Sequence, residues 1–440
     1  MRVGIALALC VLSLAACGSK KKQKRSFDAA AVEVVTATSD GGFAPAPTDE
    51  VEPNDGEDTA TPLGLGATTR GRIEPETDVD NYKLTVTEAG ALTVELSAVD
   101  GMDLLLEIQD AGGTSLAKSD RGGVRVKEGV PNLGVTPGAY RVIVRAKKQP
   151  APKPKALPKK GKKGAAAPAP EPATPAPAAG TAPVYELSAK VSSVVGNLEK
   201  EPDDDNGTAM DLIVGDAASG YVGWQGDADV WKLSVETLSK TNAIDIEISA
   251  VEGIALAAEL TDGVGQLLVA RKAPRSTPLV IRGLVPVVAD GGPPFHYLLI
   301  KADKSNPETA YQLKVTAKVP NPDTEIEPDD TIDKPMPIPE DRTVVHATWT
   351  PGDVDCFAVA PDANARTLDI TIDTPDTADL EVEMFVDGKS VAKSEHPGKG
   401  VIEKVSAPVP ANAHAVVKVR GTDASAESAY DVSVAEGAAP

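Results

Sequence analysis

One short acidic phrase, written three times at a fixed distance from a second, constrains this 440-residue chain more than any other feature. Glu52-Pro53-Asn54-Asp55 returns as Glu201-Pro202-Asp203-Asp204 and again as Glu327-Pro328-Asp329-Asp330. A D-x-D-x-aromatic phrase follows each copy: Asp78, Asp80 and Tyr82; Asp227, Asp229 and Trp231; Asp353, Asp355 and Phe357. The first Glu and the first Asp stand 26 residues apart every time. A register kept three times marks a tandem repeat, so the chain is expected to build three small cores of one design.

The residues after each pair of phrases say what the unit is made of. Tyr82, Leu84 and Val86 alternate with Lys83, Thr85 and Thr87, and Trp231, Leu233 and Val235 alternate with Lys232, Ser234 and Glu236. That period of two belongs to a half-buried strand. Residues 92–96, 244–248 and 368–372 repeat it, and turn signals follow at 110–113, Asp262-Gly263 and Asp387-Gly388. Later strands fall at 140–144, 297–300 and 415–419, and the last strand of each unit is led by a tyrosine, Tyr185, Tyr311 or Tyr430. No folded stretch has helical periodicity. Short strands with turns every 8–12 residues or so predict an all-β fold of three tandem β-sandwich domains, over 49–191, 198–319 and 325–437.

The first domain is interrupted. Residues 147–183 are rich in Lys, Pro and Ala, with eight lysines against the single Glu171. Such sequence is extended and cannot pack a core, so it reads as a loop inserted before the strand led by Tyr185. At about 3.1 Å per residue, out and back, it would reach on the order of 50 Å. It is either a tolerated surface insertion or a cationic arm that touches anionic glycan, lipopolysaccharide or a peptidoglycan-associated polymer. The net charge of the whole chain is −21, which argues against nucleic acid as a partner.

At the N-terminus, Arg2 precedes an apolar run over residues 3–14, too short for a transmembrane helix. Leu14-Ala15-Ala16-Cys17 resembles the lipobox of bacterial lipoproteins. That resemblance implies a signal peptide over 1–16, acylation of Cys17 and stable membrane anchoring by more than one chain. Gly18, where an Asp would signal retention, implies the outer membrane. Residues 17–48 read as a disordered tether, with Lys20, Lys21, Lys22, Lys24 and Arg25 placed to favour anionic headgroups. The expected location is the cell envelope, on the periplasmic or the surface face. Cys10 leaves with the signal and Cys17 is lipidated, so Cys356 has no disulfide partner within the chain. It alternates with core positions and is expected to be a small solvent-facing or half-buried filler, not a reactive thiol.

The order of motifs is similar to that of the bacterial pre-peptidase C-terminal (PPC) domain and of the related collagen-binding domains of clostridial collagenases. The first unit carries it best, with Asp103-Leu104-Leu105-Leu106-Glu107-Ile108 and Gly138-Ala139-Tyr140-Arg141-Val142; the third keeps Asp379-Leu380, and the second departs with Ile254-Ala255-Leu256. The resemblance implies a jelly-roll-like antiparallel sandwich with a calcium site where the leading segment meets the loop before the aromatic strand. The first site would be Glu50, Glu52, Asn54, Asp55, Asp78 and Asp80. The second would be Glu199, Glu201, Asp203, Asp204, Asp227 and Asp229, and the third Glu325, Glu327, Asp329, Asp330, Asp353 and Asp355. The residues also argue this themselves. E-x-E-P-[N/D]-D recurs in all three copies. Hard oxygen ligands in such numbers suit Ca²⁺, and carboxylates crowded without a cation would repel. The competing reading makes Pro a turn former and the acids solvated punctuation between domains.

Catalytic patterns are missing from the sequence. His296, His346, His396 and His414 are scattered, and no H-E-x-x-H, G-x-S-x-G or C-x-x-C is present. Gly388-Lys389-Ser390 lacks the first glycine of a P-loop, since Glu383 stands there. Trp231 belongs to the core; Trp224 and Trp349 are core or, less simply, a sugar-stacking face. The expected function is a non-enzymatic lipoprotein that displays calcium-stabilised sandwiches to a polysaccharide or protein polymer. The alternative is an accessory subunit of a secreted peptidase or other hydrolase encoded on a separate chain.

Overall fold

The computed structural model describes residues 46–147 and 182–438, apart from residues 195, 237, 239–241, 287, 289–290 and 423–426. The signal segment with Cys10, the lipobox with Cys17, nearly all of the tether and almost the whole Lys/Pro/Ala segment lie outside the described residues. The fold is all-β: apart from one 3-10 turn at Glu57–Thr59, the described residues hold no helix.

Each unit contributes nine strands. The first has β1 (Thr61–Leu63), β2 (Thr68–Gly71), β3 (Val79–Val86), β4 (Gly90–Leu96), β5 (Leu104–Asp110), β6 (Ser115–Ser119), β7 (Glu128–Val135), β8 (Gly138–Ala146) and β9 (Tyr185–Ser192). The second has β10 (Met210–Leu212), β11 (Ala217–Gly220), β12 (Ala228–Ser234), β13 (Ala243–Ile248), β14 (Leu256–Asp262), β15 (Leu267–Lys272), β16 (Leu279–Leu284), β17 (Phe295–Ala302) and β18 (Tyr311–Lys318). The third has β19 (Met336–Pro337), β20 (Val344–Trp349), β21 (Val354–Val359), β22 (Arg366–Asp373), β23 (Asp379–Val386), β24 (Lys389–Ser394), β25 (Glu403–Val409), β26 (Ala415–Thr422) and β27 (Ser428–Ala438). A five-stranded sheet of order β1-β3-β8-β5-β6 faces a four-stranded sheet of order β2-β9-β4-β7, and the other two units repeat both orders. All pairings are antiparallel except β1 with β3 and its two counterparts. Strand β9, beyond the Lys/Pro/Ala segment, lies between β2 and β4 of the first unit.

Alternation puts one apolar row from each sheet between the layers. Tyr82, Leu84, Leu92, Val94, Leu106 and Tyr185 form the heart of the first core, with Trp231, Ile246 and Leu313 in the second and Phe357, Ile370 and Val432 in the third. The turn signals perform as read. Asp110 Oδ1 accepts from Gly112 N and Thr114 N, both at 2.8 Å, and Asp262 Oδ1 from Val264 N and Gln266 N. Gly388 lies in the β23–β24 turn. Trp349 is buried, whereas Trp224 is half-buried and packs on the core of the preceding unit.

Cys356 differs from expectation: it is fully buried. The leading segment of its own unit covers that face of β21, with Cys356 N donating to Asp329 O at 3.1 Å. Burial pushes the thiol up to about 12, so it stays protonated and unreactive.

The junctions are built from backbone. Glu201 N donates to Asn132 O, and Gly134 N to Glu201 O, at 3.0 and 2.7 Å. Glu327 N donates to Gly283 O and Val285 N to Glu327 O, at 3.0 and 2.9 Å. Thus the Glu of each later E-P phrase forms a parallel bridge to the edge strand, β7 or β16, of the unit before it. Both edges shift register there, and Asn132 and Gly283 have φ of 53° and 65°. A Cβ on Gly283 would lie 2.8 Å from Glu325 O, and one on Gly134 would lie 2.6 Å from Glu201 O. Strand β25, their counterpart, pairs with β22 without a shift and places Pro408 opposite Thr367, at the register of Gly134 and Val285.

Candidate metal centres

The two acidic phrases meet in each unit through one repeated scheme. The leading segment runs beside β2, β11 or β20, where Glu50 N, Glu199 N and Glu325 N donate to Arg70 O, Ser219 O and His346 O at 2.8–2.9 Å. The same three glutamates turn their carboxylates back to accept Arg72 N, Tyr221 N and Thr348 N at 2.7, 2.6 and 2.8 Å. The glutamate before each proline accepts the N–H two residues on, from Asn54, Asp203 or Asp329, at 2.9–3.1 Å. The carbonyls of Asn54, Asp203 and Asp329 accept Asn81 N, Val230 N and Cys356 N, which pins the segment over the D-x-D strand. The Glu-Pro bond of each of the three phrases is cis, as is Glu74-Pro75.

Beneath this frame the second Asp of each D-x-D meets the tyrosine that leads or nearly leads the last strand. Tyr185 donates to Asp80 and Tyr430 to Asp355, and Tyr311 lies beside Asp229 at the same place in the second unit. The tyrosine is held by its neighbour in the first two units, with Tyr82 and Tyr185 hydroxyls 2.6 Å apart and Trp231 Nε1 donating to Tyr311 at 2.9 Å. In the sequence these tyrosines mark strand starts, and their threefold recurrence is the signal of this second role. Gly220 permits the approach, because a Cβ there would overlap both Glu199 Oε2 and the Tyr311 hydroxyl.

Carboxylate oxygens therefore converge. In the second unit Glu199, Glu201 and Asp229 form one group, and Glu201, Asp204 and Asp227 a second, each with one oxygen per residue within 4.8 Å of the others. In the third unit the groups are Glu325, Asp329 and Asp355, and Glu327, Asp330 and Asp353. The first unit forms one, Glu50, Glu52 and Asp80; Asn54 is buried beside it, and Asp55 and Asp78 line an open hollow with Glu52. Burial follows position in the row. Glu52 is exposed, while its counterparts Glu201 and Glu327 are buried; the second unit has a predecessor packed at its head, Pro131 against Gly223.

These buried oxygens want a partner. Asp80 Oδ1, Glu199 Oε1, Glu201 Oε1, both oxygens of Asp203 and Asp229, Asp227 Oδ1, Glu325 Oε1, both oxygens of Asp329 and Asp355 Oδ1 accept no hydrogen bond. A buried carboxylate left so is costly unless paired, protonated or metal-bound. Burial first, and crowding by like charges second, push Asp203 up to about 10 and Asp227 up to about 11. Burial likewise lifts Asp80 to about 8, against the bond from Tyr185, and holds Glu199, Asp229, Glu325, Asp329 and Asp355 well above the carboxylate range. Among the described residues the groups contain only carboxylates, a hard donor set that fits a hard divalent cation. Oxygens within 4.8 Å of one another also suit one ion bound at roughly 2.3–2.6 Å.

The outer group of the third unit differs, because Arg271 from β15 of the second unit lies in it. Its guanidinium pairs with Glu327 and Asp353, and Nη1 lies 3.0 Å from Asp330 Oδ1. Nothing in the sequence distinguished this arginine. The histidines do not meet: His346 Nδ1 lies 2.6 Å from Asp431, His396 Nδ1 lies 3.0 Å from Glu403, and His296 is buried with its pKa lowered by desolvation.

No protein-family model and no curated protein matches the chain. Solved structures do. The pre-peptidase C-terminal domain of collagenase from Bacillus anthracis is 16% identical over 30% of this chain and 94% of that one, with a TM-score of 0.20. A putative secreted protein from Eubacterium rectale is 8% identical over 66% and 88%, at 0.19. The N-terminal CBM22-1-CBM22-2 tandem domain from Paenibacillus barcinonensis Xyn10C is 12% identical over 47% and 82%, at 0.13.

Proposed function

We propose that this chain is a non-enzymatic envelope lipoprotein whose sandwich units are stabilised by Ca²⁺ and displayed for binding a polysaccharide or protein polymer. The observation that carries the calcium reading is the set of buried, unpartnered carboxylate oxygens at the head of each unit. Glu50, Glu199 and Glu325 and their companions would hold the ion, which supplies positive charge between the leading segment and the D-x-D strand. The same cluster made three times supports a structural duty over a single active site. Anchoring through Cys17 and an outer-membrane location belong to the same proposal, as does the lysine-rich segment as a cationic arm.

Extracellular calcium modules bind at about 10⁻⁴–10⁻³ M. At 10 mM Ca²⁺ each site would then add roughly 1.4–2.7 kcal/mol, a rise in melting temperature on the order of 5–15 °C over EGTA. Coincident melts in calcium and EGTA would sink the calcium reading. The display role is tested with the calcium-loaded protein on immobilised collagen, peptidoglycan and acidic polysaccharide. Retention on a polymer supports display; retention only alongside a co-purifying peptidase supports the accessory-subunit alternative.

A further inference from the structure

We infer that Arg271 stands in for the second cation of the third unit, so that this unit takes one divalent ion where the second takes two; the inference rests on the calcium reading above. The atoms themselves carry the comparison. In the second unit Glu201 Oε1 and Asp227 Oδ1 have no partner. Their counterparts by motif position, Glu327 Oε1 and Asp353 Oδ1, are the two oxygens that Arg271 Nη2 contacts. The guanidinium is buried, with its side chain 2% exposed, and its Nη1 completes the set on Asp330, the counterpart of Asp204. The inner group, Glu325, Asp329 and Asp355, is left untouched and keeps its unpartnered oxygens.

Strand register shows why only this junction has the device. Ser119 pairs with Leu106, Arg271 with Ala258 and Ser394 with Val382, which are equivalent places on β6, β15 and β24. In the first and third units that serine bonds a buried glutamate across the sandwich, Ser119 to Glu128 at 2.5 Å and Ser394 to Glu403. In the second unit the glutamate's place, opposite Ile248 as Glu128 is opposite Leu96, is taken by Leu279. With no local acid to meet, the arginine at 271 crosses to the next unit. A serine at 119 cannot span that distance, and among the described residues no ion pair joins the outer group of the second unit to a side chain of the first.

The consequence is a difference between joints. The joint of the second and third units carries its own positive charge and is held at any calcium concentration. At the joint of the first and second units the outer carboxylates, Glu201, Asp204 and Asp227, are left to the ion. Equilibrium dialysis of the full chain against Ca²⁺ tests this. R271S is expected to bind one more Ca²⁺ per chain than the parent, and so is R271S/L279E, which rebuilds the Ser–Glu pair of the other two units and so guards against simple misfolding. D204N, in the second unit's outer group, is expected to lose one. Unchanged stoichiometry in folded R271S/L279E, or no loss in D204N, overturns the assignment of Arg271 while calcium binding by the parent leaves the earlier reading intact. A parent that binds no Ca²⁺ overturns both.

Discussion

Asp203 and Asp227 show what the acidic clusters do when no cation is supplied. Held to about 10 and about 11, they keep protons that an unfolded chain, with ordinary carboxylates near 4, would release. A pKa raised by folding contributes stability that is complete below the unfolded value and is lost as pH climbs through the folded one. The calcium-free protein is therefore expected to melt at a lower temperature at pH 9 than at pH 5, because stability falls as pH rises from the unfolded value toward the folded one. Saturating Ca²⁺ displaces those protons and should remove the decline. Melting curves in EGTA at pH 5, 7 and 9 check it, and a flat profile would contradict the burial of these acids. The ligand types themselves were legible, because E-x-E-P and D-x-D stand at constant separation. Arg271 was not, because its partners belong to another unit and nothing local marks a residue that acts across a junction.

Strands were legible wherever an apolar row alternated with a polar one, and β3, β12 and their neighbours fall where the alternation placed them. The last strand of the third unit begins at Ser428, two residues before Tyr430, since edge hydrogen bonds and not side-chain type set where pairing starts. What periodicity does not encode is how one sandwich ends against the next. Each joint includes a parallel bridge made by main-chain atoms, and the signal of that bridge is a permissive backbone: Gly134 and Gly283 sit where another chain segment passes within van der Waals contact. Gly134→Ala is expected to force Glu201 away and cost roughly 1–3 kcal/mol at the first joint, lowering the calorimetric transition of the units it links. Pro408→Ala, at the same register on β25, should change stability by less than about 0.5 kcal/mol. Equal effects from the two would show that the bridge contributes nothing.

At the scale of the whole chain, the repeat was plain because 26 residues separate the phrases each time, and the number of sandwiches followed from it. The anchor is a separate matter, resting on Leu14-Ala15-Ala16-Cys17 alone. Cys17→Ala is expected to abolish incorporation of labelled palmitate and move the protein from the membrane to the soluble envelope fraction; labelling that persists would place the lipid elsewhere or nowhere. The row of units also has a direction. Each edge that receives a successor offers an amide, from Gly134 or Val285, to the carbonyl of the incoming glutamate. Pro408 holds that position on β25 and has no amide to offer. A fourth sandwich docked in the manner of the second and third would find its first hydrogen bond already refused, and a neighbouring molecule trying the same contact would meet the same refusal. Pro408 thus leaves this edge without the donor that Gly134 and Val285 present to the unit after them.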